Sequence, residues 1–362
     1  MNAENNLSLD QAATLALQKH LAGQYQESAD IVEAILKQNN SMLIPLYLRA
    51  LHLYLAKNEV EAKNLMNQID QAMPELQKFH YKQSLLEQQD LNNWFTIQNT
   101  RLIEFCQFNN VECFIISYPK CGRTWLRMML GKYLLNGQEG DPIELLNLTN
   151  QLKDVPTTEL SHDDYPMWKH IDKMETDKSI YQNKKVVWLA RDPRDAFVSY
   201  YFQHTKREDG KRANDDFDGS MGDFLTHPIG GLPSIIKFYN IWAKNLQVPK
   251  KTFVLTYEKI HEAPEAMLKA LIEFLGYPNY GDEAIHAAVD YCQFDNMKKI
   301  EEQNLLNNPR LKAADGQDPE AFKVRKGKVG GYTEYLNDQE ITQMEEYIQS
   351  HLDPFYKQLG YL

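Results

Sequence analysis

The chain has 362 residues, 43% hydrophobic and 25% charged, an ordinary make-up for a soluble globular protein. Its formal net charge of -11 argues against a general binder of nucleic acid or anionic membrane, and leaves room only for a local basic pocket. Cys106, Cys113, Cys121 and Cys292 form no C-x-x-C pair or zinc-spaced cluster, no apolar run reaches a membrane span, and the polar start has no signal-peptide pattern, so a cytoplasmic location is expected.

Residues 1–72 read as an all-α, repeat-like region. Ala12, Ala13, Leu15 and Ala16, then Ile31, Val32, Ile35 and Leu36, recur at helical spacing. Leu21-Ala22 returns as Leu55-Ala56 and Ser28 as Ala62, both 34 residues on, which is the tetratricopeptide period. Gly23 marks the first turn, and Lys57 stands where a second turn glycine would be. A plain helical hairpin accounts for the same residues. Because such a unit needs neighbours to cover its core, a protein contact or self-association through this region is expected. Residues 73–110, glutamine-rich and without glycine, read as a helical connector.

From residue 111 the pattern changes. Phe114 to Tyr118, Lys185 to Ala190 and Thr252 to Thr256 are short apolar runs, and each precedes a helical stretch: 124–135, 195–204 and 264–275. Strands alternating with helices predict an α/β fold with a parallel sheet flanked by helices over 111–362. Ligands of such sheets bind where strand C-termini meet helix N-termini. The first such junction is Tyr118-Pro119-Lys120-Cys121-Gly122-Arg123-Thr124-Trp125. Backbone N–H groups at a helix start, a glycine allowing close approach, two cations and a hydroxyl make this P-loop-like chemistry, although the Walker A pattern is absent.

YPKCGRTW resembles the 5′-phosphosulfate loop of sulfotransferases that use 3′-phosphoadenosine 5′-phosphosulfate (PAPS), usually written YPKSGTTW; Cys121 and Arg123 depart from it. Arg191-Asp192-Pro193-Arg194-Asp195 and Ser199, eight residues after Arg191, resemble that family's 3′-phosphate segment. Arg325-Lys326-Gly327-Lys328-Val329-Gly330-Gly331-Tyr332 resembles its R-K-G-x-x-G-D-W, with Gly331 and Tyr332 in place of the acid and the tryptophan. Tyr257 and Phe294 resemble residues that border the adenine. The resemblance implies a PAPS-dependent sulfotransferase releasing 3′-phosphoadenosine 5′-phosphate (PAP). It implies donor contacts from Lys120, Cys121, Gly122, Arg123, Thr124, Trp125, Arg191, Ser199, Tyr257, Phe294, Arg325, Lys326 and Gly327. Lys120 would also act on the leaving group. No metal is expected.

A base must take the acceptor's proton, and histidine has the suitable pKa. The resemblance puts a histidine about twenty residues before the phosphate arginine. His170 precedes Arg191 by 21 and is the expected base; His162 is the fallback, and His204 an acceptor-site candidate. Phe224, Phe238, Tyr239 and Trp242 read as helix core rather than pocket wall. The expected partner is a small-molecule acceptor with a hydroxyl or amine, with no nucleic acid and no membrane.

Overall fold

Two helical hairpins open the chain: α1 (Leu9–Leu21) with α2 (Tyr25–Gln38), and α3 (Leu43–Leu55) with α4 (Glu59–Ala72). This is a computed structural model, and it describes residues 7–74, 76, 93–147, 149, 152–206, 217–306, 320, 322–324 and 327–362. The chain divides into two units, Met1–Asn110 and Val111–Leu362.

In the first unit the 34-residue offset extends to individual hydrogen bonds. At the end of α1, Ala22, Gly23 and Gln24 donate to the carbonyls of Gln18, His20 and Lys19; at the end of α3, Ala56, Lys57 and Asn58 donate to those of His52, Tyr54 and Leu53. Gly23 and Lys57 both take positive φ, 76° and 63°. Small residues let the paired helices approach: Ser28 is fully buried and its hydroxyl donates to the Ala16 carbonyl at 2.7 Å, and Ala62 is equally buried. A fifth helix, α5 (Trp94–Asn110), completes the core, with Leu102 set among Tyr47, Leu48, Leu51, Met66 and Leu76. The buried Arg101 ties α5 back, donating through Nε to the Leu76 carbonyl at 2.8 Å and pairing with Asp70.

The second unit is built on four parallel strands in the order β2-β1-β3-β4: β1 (Cys113–Ile116), β2 (Thr158–Ser161), β3 (Lys185–Ala190) and β4 (Lys251–Thr256). β1 is buried throughout and β3 nearly so, as flanking helices on both faces require. Helix α6 (Arg123–Leu135) follows β1, and α7 (Pro142–Asn147) precedes β2. Helices α8 (Pro193–Lys206), α9 (Met221–Phe224) and α10 (Leu232–Asn245) separate β3 from β4. After β4 come α11 (Tyr257–Glu262), α12 (Pro264–Leu275), α13 (Asp282–Tyr291), α14 (Phe294–Glu302) and α15 (Asp338–His351). Trp188 of β3 stacks on Trp242 of α10 at 5.6 Å and 18°. Phe238, Tyr239 and Trp242 are core, as expected from their helical spacing, and so is Phe224 on α9. Each such side chain contributes about 1.5–3 kcal/mol by leaving water. The three expected strands are present; β2, which has no apolar run, was not expected. Among the described residues no helix is long and apolar enough to cross a membrane.

Candidate active site

Strand register determines what meets at the edge of the sheet. Ile116 lies between Ser161 and Trp188, and Ala190 lies beside Thr256, so the segments leaving all four strands emerge on one side. They line a single cleft of about 580 Å³. Among the described residues five Lys or Arg line it (Lys120, Arg123, Arg191, Lys323 and Lys328) against one carboxylate, Asp195, so an acidic protein carries a cationic cleft.

The loop from β1 to α6 turns through two left-handed residues, Lys120 at φ 70° and Gly122 at φ 87°. Only glycine suits the second place, since an added Cβ would lie 2.5 Å from Cδ2 of Tyr257. Gly122 is also the N-cap of α6, which has no side-chain cap, so the first-turn N–H groups join Lys120, Arg123 and Thr124 in offering positive potential to an anion.

Arg191, at the end of β3, is held from several directions. Its Nη1 donates to the Lys120 carbonyl at 3.1 Å and its Nη2 to the Lys328 carbonyl at 3.0 Å, and the guanidinium lies 4.2 Å from the centre of the Tyr257 ring. The Tyr239 hydroxyl braces its backbone, accepting from Arg191 N–H and donating to the Arg191 carbonyl. Its Nε is buried and has no hydrogen-bond partner among the described residues. A buried guanidinium N–H left over beside a cationic cleft suits an anion. Ser199, on the second turn of α8, lines the same cleft.

Next to this lies an aromatic group. Trp125, Tyr257 and His261 sit within 4.5–5.8 Å of one another, and Trp125 Nε1 donates to the Cys292 carbonyl at 2.9 Å. Burial and then the Arg191 charge lower the pKa of His261, which keeps it neutral near pH 7. Phe294 lines the cleft against Gly327, whose φ is 61° and where a Cβ would come within 2.6 Å of the ring.

Both histidine candidates come from the segment after β2, and the structure separates them. His162, the first residue past the strand, lines the cleft. Its Nδ1 lies 2.8 Å from the Ser117 carbonyl. A carbonyl only accepts, so Nδ1 carries the hydrogen and Nε2 carries the lone pair. Burial, then the Arg123 charge, hold its pKa well below the ordinary histidine value, against the opposing pull of the Ser117 carbonyl. The turn after it is anchored by Asp163, left-handed at φ 53° and buried, which accepts from Tyr181 and Trp242 and pairs with Lys178 at 2.6 Å. His170 does not line the cleft. It caps a short 3₁₀ turn, its side chain is 46% exposed, and its Nδ1 is 3.2 Å from Asp172. Of the two histidines expected as base or fallback, the structure thus places His162 in the cleft and His170 outside it: the chain passes the sheet edge at Ser161 and has turned away before residue 170.

Other expected residues divide. Lys120, Gly122, Arg123, Thr124, Trp125, Arg191, Ser199, Tyr257, Phe294 and Gly327 all line the cleft. Cys121 does not. It points into the core, with Sγ 3.4 Å from the Tyr239 hydroxyl, and burial pushes its pKa up to about 12. His204 is also buried outside the cleft, stacked on Phe224. Arg325 and Lys326 lie outside the described residues. Sequence reasoning passed over His261, four residues after Tyr257 on one helical face, and two buried carboxylates that grip the segment after residue 322: Asp195 on α8 and Glu301 on α14. Among the described residues no group of three or more His, Cys, Asp or Glu could hold a metal ion.

A flavonol 4′-sulfotransferase of Flaveria chlorifolia is 26% identical over 260 residues, 67% of this chain and 79% of its own length. Cytosolic sulfotransferase 16 of Arabidopsis thaliana is 26% identical over 262 residues, 65% of this chain and 74% of its own. A mouse sulfotransferase crystallised with PAP superposes with a TM-score of 0.45 at 17% identity, covering 68% of this chain and 86% of that one. The family model described as the sulfotransferase domain matches residues 111–356, nearly all of the unit that bears the cleft, and the chain belongs to that family and is a sulfotransferase.

Proposed function

We propose that the chain transfers a sulfuryl group from PAPS to a hydroxyl on a flat aromatic small molecule, with His162 as the base. One observation carries the assignment of the base. His162 is held through Nδ1 to a backbone carbonyl, which leaves Nε2 with the lone pair, and the residue lines the same cleft as the β1–α6 loop. When bound, PAPS supplies the sulfuryl group and a leaving phosphate. The residues present fit such a molecule: the uncapped start of α6, Lys120 and Thr124 suit its 5′ end, and Arg191, with its unpartnered Nε, and Ser199 suit its 3′-phosphate. Trp125, Tyr257 and Phe294 suit the base. His162 Nε2 takes the acceptor's proton, while Lys120 and the first-turn N–H groups stabilise charge developing at the leaving oxygen.

The acceptor reading rests on the wall beside the base. The segment carrying His162 runs on to Tyr165 and Trp168, stacked on each other at 5.1 Å and 7°, and to Met167; all three line the cleft. Such a wall suits a planar ring, and the flavonol sulfotransferase among the relatives is named for an acceptor of that shape.

The test is donor selectivity together with base identity. PAP should raise the melting temperature when ATP with magnesium does not. Adenosine 5′-phosphosulfate, lacking the 3′-phosphate, should be at least about a hundredfold poorer as donor, from the loss of two charge-assisted hydrogen bonds. Equal use of the two donors would overturn the roles of Arg191 and Ser199.

A further inference from the structure

Residues 323–324 and 327–332 return to the cleft after α14, and Lys323, Val324, Gly327, Lys328, Gly331 and Tyr332 contribute to its wall. No strand pairing holds the described part of this segment. A stretch held only by its side chains would lose much of its order to backbone entropy. Two carboxylates from different helices grip its backbone, beside the bond from Arg191 Nη2 to the Lys328 carbonyl. At one end Glu301, 1% exposed, accepts from Lys323 N–H through Oε1 and from Val324 N–H through Oε2, each at 2.7 Å. At the other end Asp195, 3% exposed, accepts from Gly330 N–H through Oδ2 at 2.8 Å and from Tyr332 N–H through Oδ1 at 3.1 Å. Each carboxylate spends both oxygens on main-chain donors, the arrangement that makes a buried negative charge tolerable. The grip is on the backbone, and Lys323 and Lys328 of the segment line the cleft.

We infer that Glu301 and Asp195 are positioning residues that pin residues 323–332 as the wall of the nucleotide end of the cleft, an inference that rests on the donor reading above only in naming the ligand. Replacing either carboxylate by its amide keeps the shape but turns one acceptor into a donor facing an N–H. Glu301→Gln is the cleaner probe, since Asp195 also lies 3.6 Å from Arg191 Nη2.

The experiment is amide hydrogen exchange of the full-length protein over residues 322–332, without nucleotide and then with PAP, in the native chain, E301Q and D195N. Steady-state kinetics with PAPS accompany it. We expect exchange of the Lys323 and Val324 amides to quicken about tenfold or more in E301Q, and that of Gly330 and Tyr332 likewise in D195N. KM for PAPS should rise by a similar factor in E301Q while kcat changes by no more than about threefold, the pattern of lost uniform binding. Should E301Q fail to fold, E301D, which keeps the charge but withdraws it by one methylene, must give the same split. Native-like exchange in both variants, or a fall in kcat with KM unchanged, would overturn the inference. Faster exchange in the variants combined with no slowing by PAP in any chain would support the pinning and overturn the PAPS reading.

Discussion

A single hydrogen bond sets the tautomer of His162. With Nδ1 donating to the Ser117 carbonyl, the ring is fixed in the tautomer that a general base needs, without a carboxylate behind it. His162→Ala should lower kcat by about 10²–10⁴-fold while PAP binding survives, and His170→Ala should stay within about twofold of native; comparable losses in both variants would remove His162 from the mechanism. The pH response has a definite sign. The folded-state pKa is depressed, so the imidazole is neutral at pH 7, remains so as pH falls past 6.5, and gains its proton only at the lowered value. In a proton NMR titration of the free protein, the imidazole resonance that H162A removes should therefore titrate below the ordinary range. The thiol in the phosphate loop behaves oppositely to a reactive cysteine: Cys121 is buried and held up to about 12, so the native protein should leave it unlabelled by a disulfide reagent at pH 8 on the timescale that labels the unfolded chain. Most residues that line the cleft at the β1–α6 loop and after β3 were legible because each of those stretches is contiguous and chemically loud. Asp195 and Glu301 were not, because a carboxylate that binds backbone leaves no trace in the identity of the residues it binds.

At the level of elements, what escaped sequence reading was β2. Its Thr-Glu-Leu-Ser is an edge strand paired only to β1 and partly exposed, so it shows neither an apolar run nor clean alternation. Missing that strand shifted the expected histidine from His162 to His170, eight residues on, because the histidine that lines the cleft is found by following the strand's end. The helical hairpins were legible for the opposite reason: their small buried residues and turns repeat at a fixed spacing. That repeat makes a prediction. Lys57 occupies the left-handed position that Gly23 fills one repeat earlier, so Lys57→Gly should stabilise the first unit by ~0.5–1 kcal/mol, read from its urea midpoint. The same unit holds a histidine relay, in which Asn99 Oδ1 accepts from His20 Nε2 and His20 Nδ1 is 3.2 Å from His52 Nε2. Burial, then His20, lowers the pKa of His52 to about 4. The unfolded chain binds this proton near 6.5 and the folded chain does not, so the unit's stability is full above 6.5 and falls between 6.5 and about 4. Replacing His52 with Gln should flatten that decline.

For the whole molecule, the two units predict where the chain can be cut. The helix Trp94–Asn110 belongs to the core of the first unit, with Leu102 fully buried there. Removing residues 1–72 would strip the partners of that helix and expose its apolar face, so the product should aggregate. Removing residues 1–110 cuts at the boundary, and residues 111–362 should retain PAP binding by calorimetry within a few-fold of the full chain. If the shorter product binds no PAP, the first unit contributes to the nucleotide site.

The order of the sheet has a consequence for how the enzyme can be altered. The loops proposed to hold the donor hang from the three contiguous strands β1, β3 and β4, whereas the proposed base and the ring-stacking wall hang from β2 at the rim. The segment between β2 and β3 can thus be exchanged as a cartridge. The fastening of the imidazole lies outside it, on the Ser117 carbonyl after β1. Grafting a foreign stretch in place of residues 164–177, while keeping His162, Asp163 and Lys178, should change which hydroxyl is sulfated and leave nucleotide affinity as it was. Diversification of acceptors in such an architecture proceeds from one margin inward, by trading rim segments over an unchanging donor floor.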